Sequence, residues 1–170
     1  YYQKSLVVAN ELQYQNGVQS ALRNIGMTYA DLGLVDSAIF YYQKSLELTR
    51  KTNDLKGIAT LNLSLTEIYR IQEDWEKAIE LLNESLSICQ SSGNANLQCS
   101  TLITMGGVYE AKGQYLKSRQ ILLQAVEIAK NNSLNLQLIS AYLNLSDVEL
   151  NLNELSRAED HVNRALFLIE

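Results

Sequence analysis

Apolar and polar residues alternate along this chain with helical spacing, and the whole pattern returns every forty residues. Leu22, Ile25, Tyr29 and Leu32 recur at steps of three and four, as do Leu102, Met105, Val108 and Tyr109. That spacing lays an apolar stripe along one side of a helix. A second stripe follows in each unit: Ala38, Ile39, Tyr42, Leu46 and Leu48, then Ala78, Ile79, Leu82, Leu86 and Ile88. The hexapeptide Tyr1–Leu6 returns letter for letter as Tyr41–Leu46, which places the chain's start on a second helix of the same kind.

Aligned at this period, the chain forms gapless columns. Tyr29, Tyr69 and Tyr109 share one with Glu149; Ala38, Ala78, Ser118 and Ala158 share another, all small. Ser5, Ser45, Ser85, Ala125 and Ala165 are small again, while Leu6, Leu46, Leu86, Val126 and Leu166 are aliphatic. Ile25, Leu65, Met105 and Leu145 are followed by Gly26, Thr66, Gly106 and Ser146. Gly26 and Gly106 are expected to face Ala38, Ala78 and Ala158, bringing two helix backbones close together, with the tyrosine rings beside the contact.

Polar clusters mark the breaks: Asn16-Gly17, Thr52-Asn53-Asp54, Ser91-Ser92-Gly93-Asn94 and Asn131-Asn132-Ser133. Gly33 and Gly113 sit where a left-handed residue ends a helix. Asp36, Asp74 and Ser156 are expected N-caps, because a short side-chain oxygen takes an orphan N–H there. The predicted map is a half-unit at 1–13, then helix pairs at 17–32/36–51, 57–72/76–91, 97–112/116–131 and 137–152/156–169. That makes nine helices and an all-α fold. No single pair buries both its faces, so the units must stack along a continuous core. The repeat domain is expected to span 1–170, with repeats at about 17–51, 57–91, 97–131 and 137–169.

Composition removes several alternatives. There is no proline, so nothing need break a helix internally. A hydrophobic fraction of 46% marks a folded chain, and a net charge of −5 disfavours nucleic acid and anionic membranes as partners. No run is long enough for a membrane helix and no signal peptide opens the chain; cysteines read as reduced thiols suit a cytoplasmic setting. The start on Tyr-Tyr without Met reads as a segment of a longer protein. Cys89 and Cys99 read as free buried thiols rather than a disulfide or metal ligands, since the one histidine, His161, is distant in sequence. Of four Asn-x-Ser matches, those at Asn62, Asn83 and Asn144 fall inside predicted helices, and none is read as a glycosylation site.

No residue set resembles an active site, so neither enzymatic activity nor a cofactor is expected. His161 reads as a surface or inter-helix residue. Gly106-Gly107 lies within a helix, not between strand and helix, and is no phosphate loop. Glu73, Asp74 and Glu76 read as a solvated helix start that the helix dipole favours.

The order Leu22, Ile25-Gly26, Tyr29, Ala38, Tyr42, Ser45 resembles the tetratricopeptide repeat, whose eighth and twentieth positions are small. Leu102, Met105-Gly106, Tyr109, Ser118, Leu122 and Ala125 repeat it. The resemblance covers the chain as four complete repeats and one half-repeat. The family's commonest period is about 34 residues, and forty is similar to its longer-helix branch, which includes kinesin light chains, Pins-type scaffolds and bacterial peptide-sensing regulators. Asn62, Thr66 and Glu149 depart from the pattern. Glu149 makes the fourth unit the one expected to be loosest.

The resemblance implies a right-handed superhelical solenoid whose first helices line a concave face. Carried onto this sequence, its groove positions include Arg23, Asn24, Met27 and Asp31 in the first unit and Leu63, Ser64, Glu67 and Arg70 in the second. The third contributes Ile103, Thr104 and Glu110, and the fourth Leu143, Asn144 and Asp147. Asn24, Ser64, Thr104 and Asn144 form a polar ladder in which Asn is expected to grip a peptide backbone through donor and acceptor together. Leu63, Ile103 and Leu143 form an aliphatic track beside it. Acidic residues outnumber Arg23 and Arg70, so the expected partner is a protein or peptide segment of apolar and basic character. The co-chaperone pattern of Lys and Asn is not matched, since Arg23 and Met27, or Leu63 and Glu67, hold those places. A sensor arm of a larger regulator and end-to-end self-association are the alternatives to a binding scaffold.

Overall fold

The computed structural model describes residues 15–169, together with Lys4 and Val7. The half-repeat expected at 1–13 lies outside the described residues, apart from those two. Eight helices follow one another: α1 (Gln15–Asp31), α2 (Val35–Lys51), α3 (Leu55–Ile71), α4 (Trp75–Ser92), α5 (Ala95–Ala111), α6 (Tyr115–Asn131), α7 (Asn135–Asn151) and α8 (Leu155–Phe167). No strand occurs among the described residues, and no helix there is long and apolar enough to cross a membrane. The first helix of each unit starts two residues before its predicted boundary, the second one residue before.

The connections explain the regularity. Gly33, Asn53, Glu73, Gly93, Gly113, Ser133 and Asn153 all have positive φ, between 53° and 75°, and stand twenty residues apart. Each is the left-handed residue of the same closing turn. At the first, the Gly33 N–H donates to Ala30 O at 2.9 Å and the Leu34 N–H to Tyr29 O at 2.9 Å. These two bonds satisfy carbonyls that the helix end leaves open. The residue after the left-handed one then begins the next helix. Asp54, Asp74 and Asn94 use that position as N-caps, accepting from the N–H of Gly57, Lys77 and Leu97 at 2.9, 3.3 and 3.1 Å. Of the three N-caps expected from sequence, Asp74 alone serves. Asp36 and Ser156 lie one residue inside their helices, and the capping positions are Leu34 and Glu154, which make no side-chain cap.

Pairing is antiparallel between neighbours, α1 with α2 through to α7 with α8, and each pair packs on the next. Successive first helices α1, α3, α5 and α7 also approach one another, whereas successive second helices do not. The stack is therefore tighter on the first-helix side, and that layer is the inner face of the solenoid. One continuous core runs between the layers. Leu65, Leu82, Leu122 and Leu145 are fully enclosed in it, each contributing about 1.5–3 kcal/mol by burial. Cys89 and Cys99 are buried free thiols, as expected, and burial pushes both up from the ordinary thiol range.

The close contact at the glycines differs from expectation. A Cβ on Gly26 would lie 2.8 Å from the Tyr42 ring, and one on Gly106 would lie 2.6 Å from Leu122 Cγ and Cδ2. The glycines make room for a large side chain of the partner helix rather than for its small column. The small column serves the contact differently in unit three, where Ser118 Oγ donates to Gly106 O at 2.8 Å.

Candidate binding groove

The inner face is built by side chains that leave α1, α3, α5 and α7 away from the core. Between α3, α5 and α7 it deepens into a hollow of about 560 Å³. Six of the residues expected in the groove come together there: Glu67, Arg70, Ile103, Thr104, Glu110 and Asn144. Gly107 forms part of the floor because it has no side chain; the nearest atom to a Cβ there would be Asn144 Oδ1, at 3.9 Å. Tyr115, at the start of α6, closes one wall and was not anticipated, since second helices carried no groove positions. Asn151, from α7, supplies a further amide.

Charge within the hollow is unevenly matched. Arg70 Nε pairs with Glu67 Oε2 at 2.9 Å along α3. Glu110 has no cation of its own and accepts a hydrogen bond from Asn151 Nδ2 at 3.2 Å. Burial, reinforced by the nearby charge of Asp147, raises the Glu110 carboxyl above its ordinary value, with Arg70 opposing. One arginine thus stands against the carboxylates of Glu67 and Glu110 in the lining, with the charge of Asp147 nearby, and the hollow is acidic. It is also largely polar, with Ile103 and Ala111 its aliphatic members.

The polar ladder is partly committed to its own helices. Asn144 Nδ2 donates to Ser140 O at 2.9 Å, and Ser64 Oγ to Thr60 O at 3.3 Å. Asn144 therefore presents its oxygen to the hollow while one of its two N–H donors is engaged by its own helix. Leu63 is half-buried and Leu143 is 45% exposed, so the aliphatic track opens toward α7. Arg23, Asn24, Met27 and Asp31 lie on α1 and do not line the hollow; Asn24 is half-buried and the other three are exposed. Among the described residues, no group of three or more His, Cys, Asp or Glu side chains is placed to hold a metal ion.

The sequence matches the family described as tetratricopeptide repeat over residues 17–91 and 97–167. No curated protein sequence matches the chain. Among solved structures, BtubC (BKLC) from P. vanneervenii is 20% identical, with a TM-score of 0.83 over 98% of this chain and 70% of its own. The apo form of RapI is 18% identical with a TM-score of 0.83, over 98% of this chain and 46% of its own. NprR, solved in complex with its cognate peptide NprX, is 23% identical with a TM-score of 0.76, over 97% of this chain and 48% of its own. The chain spans about half the length of RapI and of NprR, and at these identities the likeness is one of fold. The sequence match, covering most of the chain, carries the assignment: this protein belongs to the tetratricopeptide repeat family.

Proposed function

We propose that the chain is a protein- or peptide-binding module whose ligand lies along the α1, α3, α5 and α7 layer, with its centre in the hollow between α3, α5 and α7. The observation that carries this reading is the convergence of three successive first helices on one open, acidic hollow of about 560 Å³. The ligand fitting these walls is a segment with a basic side chain for Glu110, which the nearby Asp147 reinforces, and an apolar one for Ile103, with the exposed Leu143 on the same inner face. Asn144 Oδ1 is placed to accept from a ligand N–H. Opposite charge in a partly desolvated pocket favours such a segment and speeds its arrival. The test is a peptide array, followed by fluorescence anisotropy on the hits. Ile103→Ala and Glu110→Gln should each weaken binding about tenfold, equivalent to roughly 1.4 kcal/mol. Hits indifferent to Leu63, Ile103, Glu110 and Asn144 substitutions would remove the inner face from consideration.

A regulatory sensor arm within a larger protein is the second reading. It is favoured by the likeness to NprR, which was solved with a peptide bound and of which this chain spans 48%.

A further inference from the structure

Three positions that are apolar at the other repeat junctions turn polar together at the last one. Between the first two units the junction columns hold Ile39, Tyr69 and Leu81; between the next two they hold Ile79, Tyr109 and Ile121. All six belong to the hydrophobic core or pack directly on it. At the junction of units three and four the same columns hold Arg119, Glu149 and His161. Glu149 is only 2% exposed, and Arg119 Nη1 donates to its Oε2 at 3.1 Å while also bonding Glu154 at 3.1 Å. His161 stacks on Tyr142 with ring centroids 5.7 Å apart, and its Nε2 stands 4.0 Å from Glu149 Oε1. Its Nδ1 is buried without a hydrogen-bond partner. A cavity of about 490 Å³, lined by Arg119, Leu123, Glu149, Arg157, Asp160 and His161, leads from solvent to this cluster.

We propose that this junction is an acid-sensitive latch: protonation of His161 loosens α8 from α7 and leaves the preceding helix pairs in place. The neutral imidazole tolerates its position because an unpaired nitrogen lone pair costs less than an unpaired, charged N–H. Adding a proton at Nδ1 would bury a donor that has no acceptor. The groups facing the ring are mixed. Glu149 from α7 and Asp160 from α8 favour the charged form, while Arg157 and Arg164 from α8 oppose it. Glu149 is already neutralised by Arg119 from α6, and Glu154 at the α7–α8 turn is held by the same guanidinium. Burial is the largest influence and holds the imidazole below its ordinary range. A folded-state value below the unfolded one means that the unfolded chain binds the proton more readily. Stability at α8 is therefore present above the free imidazole's range and is lost as the pH falls through it.

His161 is the only histidine of the chain, so one imidazole signal reports it in an NMR titration. It should titrate below about 6.5. Hydrogen exchange, corrected for the intrinsic pH dependence, should show α8 protection falling from about pH 7.5 to about pH 5.5 while α6 protection holds. The fall over that range should be several-fold and at most about tenfold, because pH 5.5 lies about one unit below the free imidazole value. His161→Leu restores a residue found in the same column and should abolish the difference. Titration at or above the free value, or equal pH dependence in wild type and His161→Leu, would overturn the latch.

Discussion

Gly106 and Gly107 are neighbours on α5, and replacing each by alanine separates helix propensity from packing. Both substitutions remove a glycine from a helix interior, a gain of about 0.8–1.0 kcal/mol. At Gly107 the new Cβ meets nothing closer than Asn144 Oδ1 at 3.9 Å, so the gain is kept. At Gly106 it would stand 2.6 Å from Leu122 Cγ and Cδ2, about 1 Å inside comfortable carbon–carbon contact. Leu122 is fully buried and has nowhere to withdraw. Overpacking of that kind costs about 1–3 kcal/mol. Gly107→Ala should therefore stabilise the protein by about 1 kcal/mol, with Gly106→Ala less stable than it by about 1–3 kcal/mol. Urea titration followed by far-UV circular dichroism reads both as midpoint shifts at constant slope. Since both changes lie in one helix, any departure from two-state unfolding affects them alike. Equal midpoints for the two variants would refute the packing account, and Leu122→Ala introduced into both variants should narrow the gap between them if the account is right.

Ala78 is fully buried, and Ala78→Leu should cost about 1–3 kcal/mol in the same assay; a neutral result would displace the proposed column register. Glu73 is a non-glycine residue with φ of 59°, so Glu73→Gly should raise stability by up to about 1 kcal/mol, left-handed strain relieved minus chain entropy lost. Arg119→Leu leaves Glu149 buried without its cation and should cost about 3–5 kcal/mol near neutral pH, measured by thermal melting. The raised Glu110 carboxyl contributes stability below the unfolded carboxyl's range and loses it as the pH rises through the folded value. Glu110→Gln can still accept from Asn151, so it should be modestly more stable than wild type at pH 7, and that advantage should vanish in acid.

The repeat was legible because it depends on columns that a single sequence displays: the tyrosines, the small residues and the aliphatic positions all state the period independently. Helix starts were less legible. Asp54 and Asn94 stood in view as loop residues, but their capping role depends on a closing turn that places the next helix immediately after the left-handed residue. Most of the hollow's lining followed from the family positions, whereas Tyr115 entered from a second helix through packing. That one of the two Asn144 N–H donors is taken by its own helix could not be foreseen from residue type, because the rotamer decides it. Arg119, Glu149 and His161 each looked like an isolated departure in its own column. Their meeting required knowing that α6, α7 and α8 converge.

The uniform turns have a consequence for how such a groove is adjusted. All seven connections share one backbone shape and one spacing, so none of them can widen or narrow the solenoid. Curvature is left to the thickness of the side chains wedged between helices: a tyrosine ring seated on Gly26, a leucine on Gly106, an ionic cluster where tyrosine stands elsewhere. Each wedge sets the angle between the helices it separates, and the inner face inherits the sum. The breadth of the inner face is thus written on residues of the core, and a change there can reshape the hollow as readily as a change in its walls.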